Sequence, residues 1–228
     1  MTANSAAGGP TIAETIADFV TTTSYERIAT RAIDAAKLFT VDVLGCMIGA
    51  SAEPQAKALI DVVRDEGGAP QASVVGGGFK TSVKNAAFVN GLKGHVFDFD
   101  DDHREGTMHP SVAVFPAVFA LAERRGASGR ETLRALVLGL EVMIRMGESF
   151  LGKSYYQGFH PTGVCGVFGA AAGCSVLLGL TAKQTTWALG LAGSFASGTL
   201  EWRTEGAWQK PLQPGHAAMM GTIAAALA

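Results

Sequence analysis

The segment from Pro161 to Ala182, P-T-G-V-C-G-V-F-G-A-A-A-G-C-S-V-L-L-G-L-T-A, contains no Asp, Glu, Lys or Arg. Its core from Val164 to Leu180 is long enough to cross a membrane. However, Gly, Ala, Cys and Ser contribute little transfer free energy, and no Trp or Tyr belt closes both ends. A helix that is apolar on all sides is also what the centre of a large helical domain requires. The segment therefore predicts a buried central helix and no membrane span.

Helical patterns extend from this segment towards both ends of the chain. The composition, 48% hydrophobic with 29 glycines and 8% aromatic residues, suits helices that pack closely through small side chains. One short strand and turn is expected between residues 71 and 80, and an irregular stretch between residues 199 and 214. A first helix is expected from Thr11 to Val20. Further helix starts are expected where capping residues or prolines precede an apolar pattern, at Ser24, Pro54, Thr81 or Ser82, Pro110, Ser128, Pro161 and Thr181. The predicted fold class is all-α.

The domain organisation follows from the two ends of the chain. Residues 1–10 are expected to be a disordered lead, and residues 11–228 one helical domain, because no linker composition interrupts them. The last twelve residues, A-A-M-M-G-T-I-A-A-A-L-A, form an apolar helical pattern with no glycine cap or polar tail after it. We therefore expect the helical domain to be incomplete at its C-terminus.

Composition excludes several functional classes. A formal net charge of −2 and a pI of about 6.2 give no electrostatic basis for binding nucleic acid. Cys46, Cys165 and Cys174 are odd in number, lie in apolar runs and lack metal-ligand spacing, which predicts buried free thiols in a reducing compartment. The N-terminus has neither the basic nor the apolar region of a secretion signal. The expected location is the cytoplasm.

Ionisable residues are concentrated between Gly94 and Ser111, G-H-V-F-D-F-D-D-D-H-R-E-G-T-M-H-P-S. Four Asp, one Glu, one Arg and three His fall in this stretch, although only 17% of the chain is charged. An acidic loop that only caps a helix needs one or two Asp and has no use for His95, His103 and His109 together. The stretch thus predicts a functional loop between two packed helices.

Two further loops place ionisable groups just before a helix, one ending at His160 and one at Lys210. Helix N-termini present free N–H groups and partial positive charge, so their convergence with imidazoles and an ammonium predicts a site for a polycarboxylate anion. In such a site His109 and His160 would serve as acid and base, Lys210 would hold a carboxylate, and Asp98 would orient an imidazole. Taken singly, each histidine fits a structural role better than a catalytic one, and Lys210 fits a solvated charge. Their recurrence just before helix starts is what favours a shared site.

The ordered motifs resemble the MmgE/PrpD family. The resemblance covers most of the chain and implies an all-helical main domain, a smaller α/β lid domain that this chain lacks, and a homodimer. It also implies chemistry on small polycarboxylates without metal, iron–sulfur cluster or other cofactor. The motifs are D-F-D-D at 98–101, T-M-H-P-S at 107–111, G-F-H-P-T at 158–162 and K-P-L-x-x-G-x-A-A at 210–218.

The resemblance assigns Asp98, His109, His160 and Lys210 to the lining of the active site. Asp102 stands where relatives often have Thr, and the loop between Asp98 and His109 varies in length within the family. Substrate choice is expected in the middle of this loop, so Asp102, His103 and Thr107 are candidate substrate-binding residues. The implied activity is proton transfer next to a carboxylate in a lyase, either a dehydratase or a decarboxylase. An epimerase of a dicarboxylate is the alternative within the family.

Two alternatives lie outside this chemistry. Residues 101–105 read D-D-x-x-E, the pattern of the magnesium box in helical terpenoid synthases, although no second box is present. A non-catalytic helical subunit is the other. If the chain is a member of the MmgE/PrpD family, it is expected to associate with itself or with a chain that carries the remaining portion, because it would otherwise expose a large apolar face.

Overall fold

A computed structural model describes residues 9–206 and 208–228. Within these residues the only strands are β1 and β2, which form one antiparallel pair of two residues each, so the domain is all-α as predicted. Residues 1–8 of the predicted disordered lead lie outside the described part. The elements are α1 (Ile12–Thr22), α2 (Thr30–Gly49), α3 (Pro54–Glu66), β1 (Ala72–Ser73), β2 (Lys80–Thr81), α4 (Val83–His95), α5 (Ser111–Arg125), α6 (Gly129–Ser149), α7 (Lys153–Tyr156), α8 (Pro161–Leu178), α9 (Ala182–Phe195), α10 (Trp202–Glu205) and α11 (Gln209–Leu227).

The charge-free segment forms α8 at the centre of the domain. It packs against α5, α6, α9 and α11, and 78% of its residues are buried, at a mean hydropathy of 1.6. By length and composition α8 also passes the test for a membrane span, but core helices pass the same test. Its close packing depends on glycine, because a side chain at Gly139 of α6 would come within 2.8 Å of the Gly169 carbonyl oxygen.

A second close approach brings the later helix α11 onto α4. Gly91 and Gly215 face each other where the helices cross, and a Cβ at Gly91 would lie 2.6 Å from the Gly215 Cα. Only glycine permits two backbones to come this close. The crossing places the first turns of α11 beside the C-terminal end of α4.

Most helix starts agree with the sequence. Thr11, Ser82, Ser128 and Thr181 each accept a hydrogen bond from the backbone N–H three residues later, which satisfies one of the free donors of the first turn. The prediction for Ser24 was wrong, because a short 3-10 turn at Tyr25–Arg27 follows it and α2 begins only at Thr30. Ile28 and Ala29 are extended and separate the two helical pieces.

The stretch 199–214 is also more regular than predicted. It contains the short helix α10, and α11 begins at Gln209, five residues before Pro214. Pro211 is compatible with a first turn, whereas Pro214 removes one internal hydrogen bond. Burial of Gly215, Ala217 and Ala218 against α4 and α8 offsets that loss. The three cysteines are buried and free, as predicted.

Candidate functional site

The site begins with His95, the last residue of α4, and Asp100 in the loop that follows. His95 Nδ1 lies 2.9 and 3.0 Å from the two Asp100 carboxylate oxygens, and neither side chain is exposed. A carboxylate only accepts hydrogen bonds, so the Nδ1 proton must be on His95. The loop thus folds back beneath the end of α4.

His109 enters from the other end of the same loop, two residues before α5. Its backbone N–H donates to Thr162 Oγ1 in the first turn of α8 at 3.0 Å, which ties the loop to the central helix. Its Nδ1 lies 3.3 Å from Asp100 Oδ2, at ion-pair distance but poorly aligned for a hydrogen bond, and its Nε2 lies 3.6 Å from Asp98 Oδ1. His109 is therefore held between two carboxylates.

Asp98 occupies the more open side of the cluster and pairs with Lys210 from the first turn of α11. The Lys210 ammonium contacts Asp98 Oδ1 and lies 5.3 Å from the centre of the Trp202 ring. Asp98 has a φ of 53°, which is uncommon for a residue other than glycine and aims its carboxylate at this group. About half of the Asp98 side chain is exposed, whereas Lys210 is mostly covered.

His160 caps α8 and is oriented by α11. Its Nδ1 lies 2.6 Å from Gln213 Oε1, while the Gln213 amide nitrogen donates to the Thr199 carbonyl at 2.9 Å. Because the amide nitrogen is used by Thr199, the oxygen must face His160, and the imidazole proton resides on Nδ1. The Nε2 of His160 is thereby left as a lone pair in the neutral imidazole.

The electrostatics of the three imidazoles differ. Burial lowers the pKa of His95, and burial lowers the pKa of His160 to about 3, so both are neutral near pH 7. Burial acts on His109 in the same direction, but Asp100 and Asp98 outweigh it and raise the pKa of His109 above its usual value. The site therefore combines one imidazole that favours a proton, His109, with two that resist protonation, His95 and His160.

The carboxylates are also differentiated. Burial opposes ionisation of both Asp98 and Asp100, but Lys210 and the imidazoles outweigh it, so the pKa of each lies below the usual range. Burial raises the pKa of Asp101 to about 6, although its carboxylate accepts a hydrogen bond from the Ser111 N–H at the start of α5. Asp101 thus caps the start of α5 and, unlike Asp98 and Asp100, is not paired with Lys210 or an imidazole.

The structure brings Asp98, His109, His160 and Lys210 together around His95. The centre of the His95 ring lies 4.7 Å from that of His109 and 5.9 Å from that of His160. As predicted, the three loops meet at the N-termini of α5, α8 and α11, although Lys210 lies within α11 and not before it.

The three candidate substrate-binding residues lie in the loop between Asp100 and His109. His103 pairs with Met108 in a β-bridge, accepts from the Gly106 N–H at 3.0 Å, and lies 3.6 Å from Glu148 of α6, contacts that are structural. Asp102 and Thr107 are exposed. The prediction that Asp98 orients an imidazole was incomplete, because the buried carboxylate behind both His95 and His109 is that of Asp100.

A family model described as the MmgE/PrpD N-terminal domain matches residues 14–228. The chain belongs to the MmgE/PrpD family. Cis-aconitate decarboxylase of Mus musculus is 39% identical over 155 residues, 66% of this chain and 31% of that protein. The human enzyme is 39% identical over 148 residues, 63% of this chain and 30% of that protein.

A fungal relative covers more of this MmgE/PrpD domain. The cis-aconitate decarboxylase-like protein oryM of Aspergillus oryzae is 32% identical over 224 residues, 93% of this chain and 46% of that protein. The chain thus spans less than half the length of these curated relatives.

Two other features of this MmgE/PrpD domain are the D-D-x-x-E pattern, which suggested a magnesium box, and a cavity away from the His and Asp cluster. In the D-D-x-x-E pattern, Asp101 is bound to the start of α5 and the Glu105 side chain is 74% exposed beside His103, so the carboxylates are not held together as a magnesium box. A cavity of about 770 Å³ lies between α2, α5 and α6. It is lined mainly by apolar side chains and contains none of the clustered His and Asp residues.

Proposed function

We propose that this domain carries the acid–base part of a lyase that acts on a small polycarboxylate. The observation that supports it is the pair of unlike imidazoles, His109 with a raised pKa and His160 with a pKa of about 3, whose ring centres lie 4.7 and 5.9 Å from that of His95. Efficient proton transfer needs one group that holds a proton and one that is free to accept it. Lys210 supplies a positive charge in contact with Asp98, the more exposed of the two side chains.

The named relatives favour decarboxylation, with cis-aconitate as the first substrate to test. In that reaction a carbon–carbon bond breaks, carbon dioxide leaves, and the electron pair remains on a carbon skeleton that still bears carboxylates. Lys210 and the His109 imidazolium would stabilise this negative charge in the partly buried cleft. A proton then passes from the His109 imidazolium to carbon, and solvent reprotonates the imidazole.

The same groups permit a second outcome. If the neutral His160 Nε2 removes a proton next to a carboxylate, the resulting anion can lose water or be reprotonated on the other face. Dehydration of citrate or 2-methylcitrate and epimerisation of a dicarboxylate such as iminodisuccinate are therefore the alternatives. Dehydration and epimerisation use both imidazoles, whereas decarboxylation as described above uses only the proton of His109.

The test combines turnover with a direct binding measurement. Citrate, 2-methylcitrate, cis-aconitate and iminodisuccinate are incubated with the protein in deuterated water, and products are identified by NMR. Itaconate-type product with loss of carbon dioxide supports the decarboxylase, and deuterium uptake without net conversion supports the epimerase. Binding is followed in parallel through the histidine ring resonances, which a polycarboxylate in this site should shift. The proposal fails if none of the four compounds shifts these resonances or turns over.

The histidines provide the matched variants. His109→Gln should lower turnover in each of these reactions by roughly two to four orders of magnitude, the usual effect of a positioned acid or base. His160→Gln should have the same effect where His160 removes a proton, in dehydration or epimerisation. The control is His216→Gln, a histidine of α11 that contacts Ser197 and lies outside the cluster. Near-normal dehydration or epimerisation by well-folded His160→Gln would contradict the assignment of His160 as the base.

We also propose that the domain functions in an assembly, either as a homodimer or with a chain that supplies the rest of the family's length. Exposed apolar side chains on the outer face of α2 support this, since Leu38 is 71%, Val41 71% and Ile48 61% exposed. Light scattering of the purified chain should give a mass above that of one copy. A monomeric mass would contradict self-association, and an oligomeric mass that is unchanged in Leu38→Glu would contradict a role for this face.

A further inference from the structure

The Nε2 lone pair of His95 has no role in the proposed acid–base chemistry. His95 is entirely buried, its Nδ1 proton is donated to Asp100, and Nε2 has no hydrogen-bond partner among the described residues. This lone pair lies 3.9 Å from Asp98 Oδ1, which carries negative charge. Two electron-rich atoms that face each other at this distance favour a cation between them.

His109 approaches the same oxygen of Asp98 as His95 does. Its Nε2 lies 3.6 Å from Asp98 Oδ1, and the ligand atoms offered by His95, Asp98, Asp100 and His109 all lie within 4.8 Å of one another. Metal–ligand bonds of about 2.0–2.2 Å place ligand atoms roughly 3–3.5 Å apart, so shifts of about 1 Å would close the site.

We propose that His95 Nε2, His109 Nε2 and Asp98 bind one late first-row divalent cation, such as Zn²⁺ or Co²⁺. Two imidazoles and one carboxylate form a recognised ligand set for such ions. Asp100 stands behind both rings, 2.9 Å from His95 Nδ1 and 3.3 Å from His109 Nδ1, and so occupies the position from which an outer carboxylate orients metal-bound histidines.

Lys210 is the competing cation in this site. Its ammonium contacts Asp98 Oδ1, the oxygen that both Nε2 atoms approach. A divalent ion and the ammonium repel each other at this distance, so metal binding requires the Lys210 side chain to withdraw. It also requires His109 to release its Nε2 proton to solvent, because only the neutral imidazole coordinates a metal. The lysine therefore sets the metal affinity of the site and keeps it low.

The test is titration of Co²⁺ into the full 228-residue chain after dialysis against EDTA, with visible d–d absorption as the signal. Saturation at one Co²⁺ per chain is expected. Lys210→Met should tighten binding by about tenfold or more, because the competing charge is removed. Asp100→Asn should weaken it by about ten- to a hundredfold, the usual effect of losing an outer-shell carboxylate.

Ligand variants decide the assignment. His109→Gln and Asp98→Asn should each abolish saturable binding, and Asp98 is half exposed, so its variant is expected to fold even if a change at buried His95 does not. The control His216→Gln should bind as the unmodified chain does. Saturable binding that persists in Asp98→Asn and His109→Gln, a thiolate charge-transfer band from the cysteines, or no binding at all would overturn the proposal.

One consequence rests on the proposed function. An ion bound to His109 and Asp98 removes the acid and displaces Lys210, so Zn²⁺ should inhibit turnover reversibly, with recovery on addition of EDTA. Because Co²⁺ binding is measured without substrate, failure of the lyase assay and failure of the metal site give different results.

Discussion

His95 and Asp100 form a pair with no exposed side-chain surface, in which Nδ1 lies 2.9 Å from one carboxylate oxygen and 3.0 Å from the other. Burial of an ionised carboxylate is costly unless it is hydrogen-bonded and balanced by charge. Asp100 meets this condition because His109 approaches its second oxygen from the opposite side. The pair therefore links the end of α4 to the protonation of His109.

Asp100→Asn should reveal this link. The amide keeps the shape of the carboxylate but removes its charge, so the pKa of His109 should fall, because Asp100 is the main influence that offsets its burial. Loss of the charged hydrogen bond should also lower the free energy of unfolding by about 1–3 kcal/mol. The pKa is measured by NMR titration of the histidine rings. Asp102→Asn, at an exposed neighbour, is the control, and an unchanged His109 pKa in Asp100→Asn would refute the link.

Gln213→Glu should change His160 in a predictable direction. A carboxylate facing Nδ1 at the position of the 2.6 Å contact stabilises the imidazolium, so the pKa of His160 should rise from about 3. If neutral His160 is the base, the acidic limb of the pH profile of kcat/KM should move to higher pH. Gln209→Glu, at an exposed position of the same helix, should leave both unchanged. An unmoved acidic limb despite a raised pKa would exclude His160 as the base.

Lys210→Met removes the ammonium charge of Lys210 but keeps a side chain of similar length, so it separates the effect of the charge from that of side-chain packing. Turnover should fall by about two to three orders of magnitude, as when one group that stabilises a developing anion is removed, while Tm changes by only a few degrees. The pKa of Asp98 should rise, because Lys210 is the main influence that offsets its burial. Lys183→Met is a close control, since Lys183 also lies over a tryptophan, 5.2 Å from the ring of Trp187. Unchanged turnover with a large fall in Tm would make Lys210 structural.

Much of the architecture was predictable because local physics and tertiary packing agree. Capping residues such as Ser128 and Thr181 specify helix starts through their own hydrogen bonds, which depend on only three following residues. The absence of charge between residues 161 and 182 indicated the central helix, because that position excludes unpaired charge on every side. The convergence of His109, His160 and Lys210 followed from their common position near helix N-termini.

The rest depends on contacts between distant parts of the chain. Pro211 and Pro214 predict an irregular segment locally, and α11 forms there because Gly215 packs on Gly91 of a helix more than a hundred residues earlier. Asp100 differs from its neighbours Asp101 and Asp102 only in the direction that the folded loop gives its side chain. His95 carried one signal in the sequence, because it ends an apolar helix and lies five residues before Asp100. Spacing alone does not show that both side chains are buried.

The last prediction concerns Lys93 on α4, two residues before His95. Its side chain is completely buried and its ammonium donates to the Val75 carbonyl, yet it forms no ion pair within the described residues. Burial lowers its pKa to about 8. Between about pH 8 and the ordinary lysine pKa of about 10.4, the unfolded chain holds this proton and the folded chain does not, so the Lys93 contribution to stability should rise with pH.

The buried cysteines act in the opposite sense, because burial raises the pKa of Cys46 to about 11. The Lys93 effect is therefore read from the difference between the unmodified chain and Lys93→Met, in which the thiols cancel. Between about pH 8.5 and 9.5, the free energy of unfolding of the unmodified chain should gain roughly 1 kcal/mol relative to Lys93→Met, within the limit of 1.36 kcal/mol per pH unit for one proton. Urea unfolding across this range measures it. Lys84→Met, at an exposed lysine of the same helix, should show no such divergence, and parallel profiles for Lys93→Met and the unmodified chain would mean that Lys93 keeps its proton on folding.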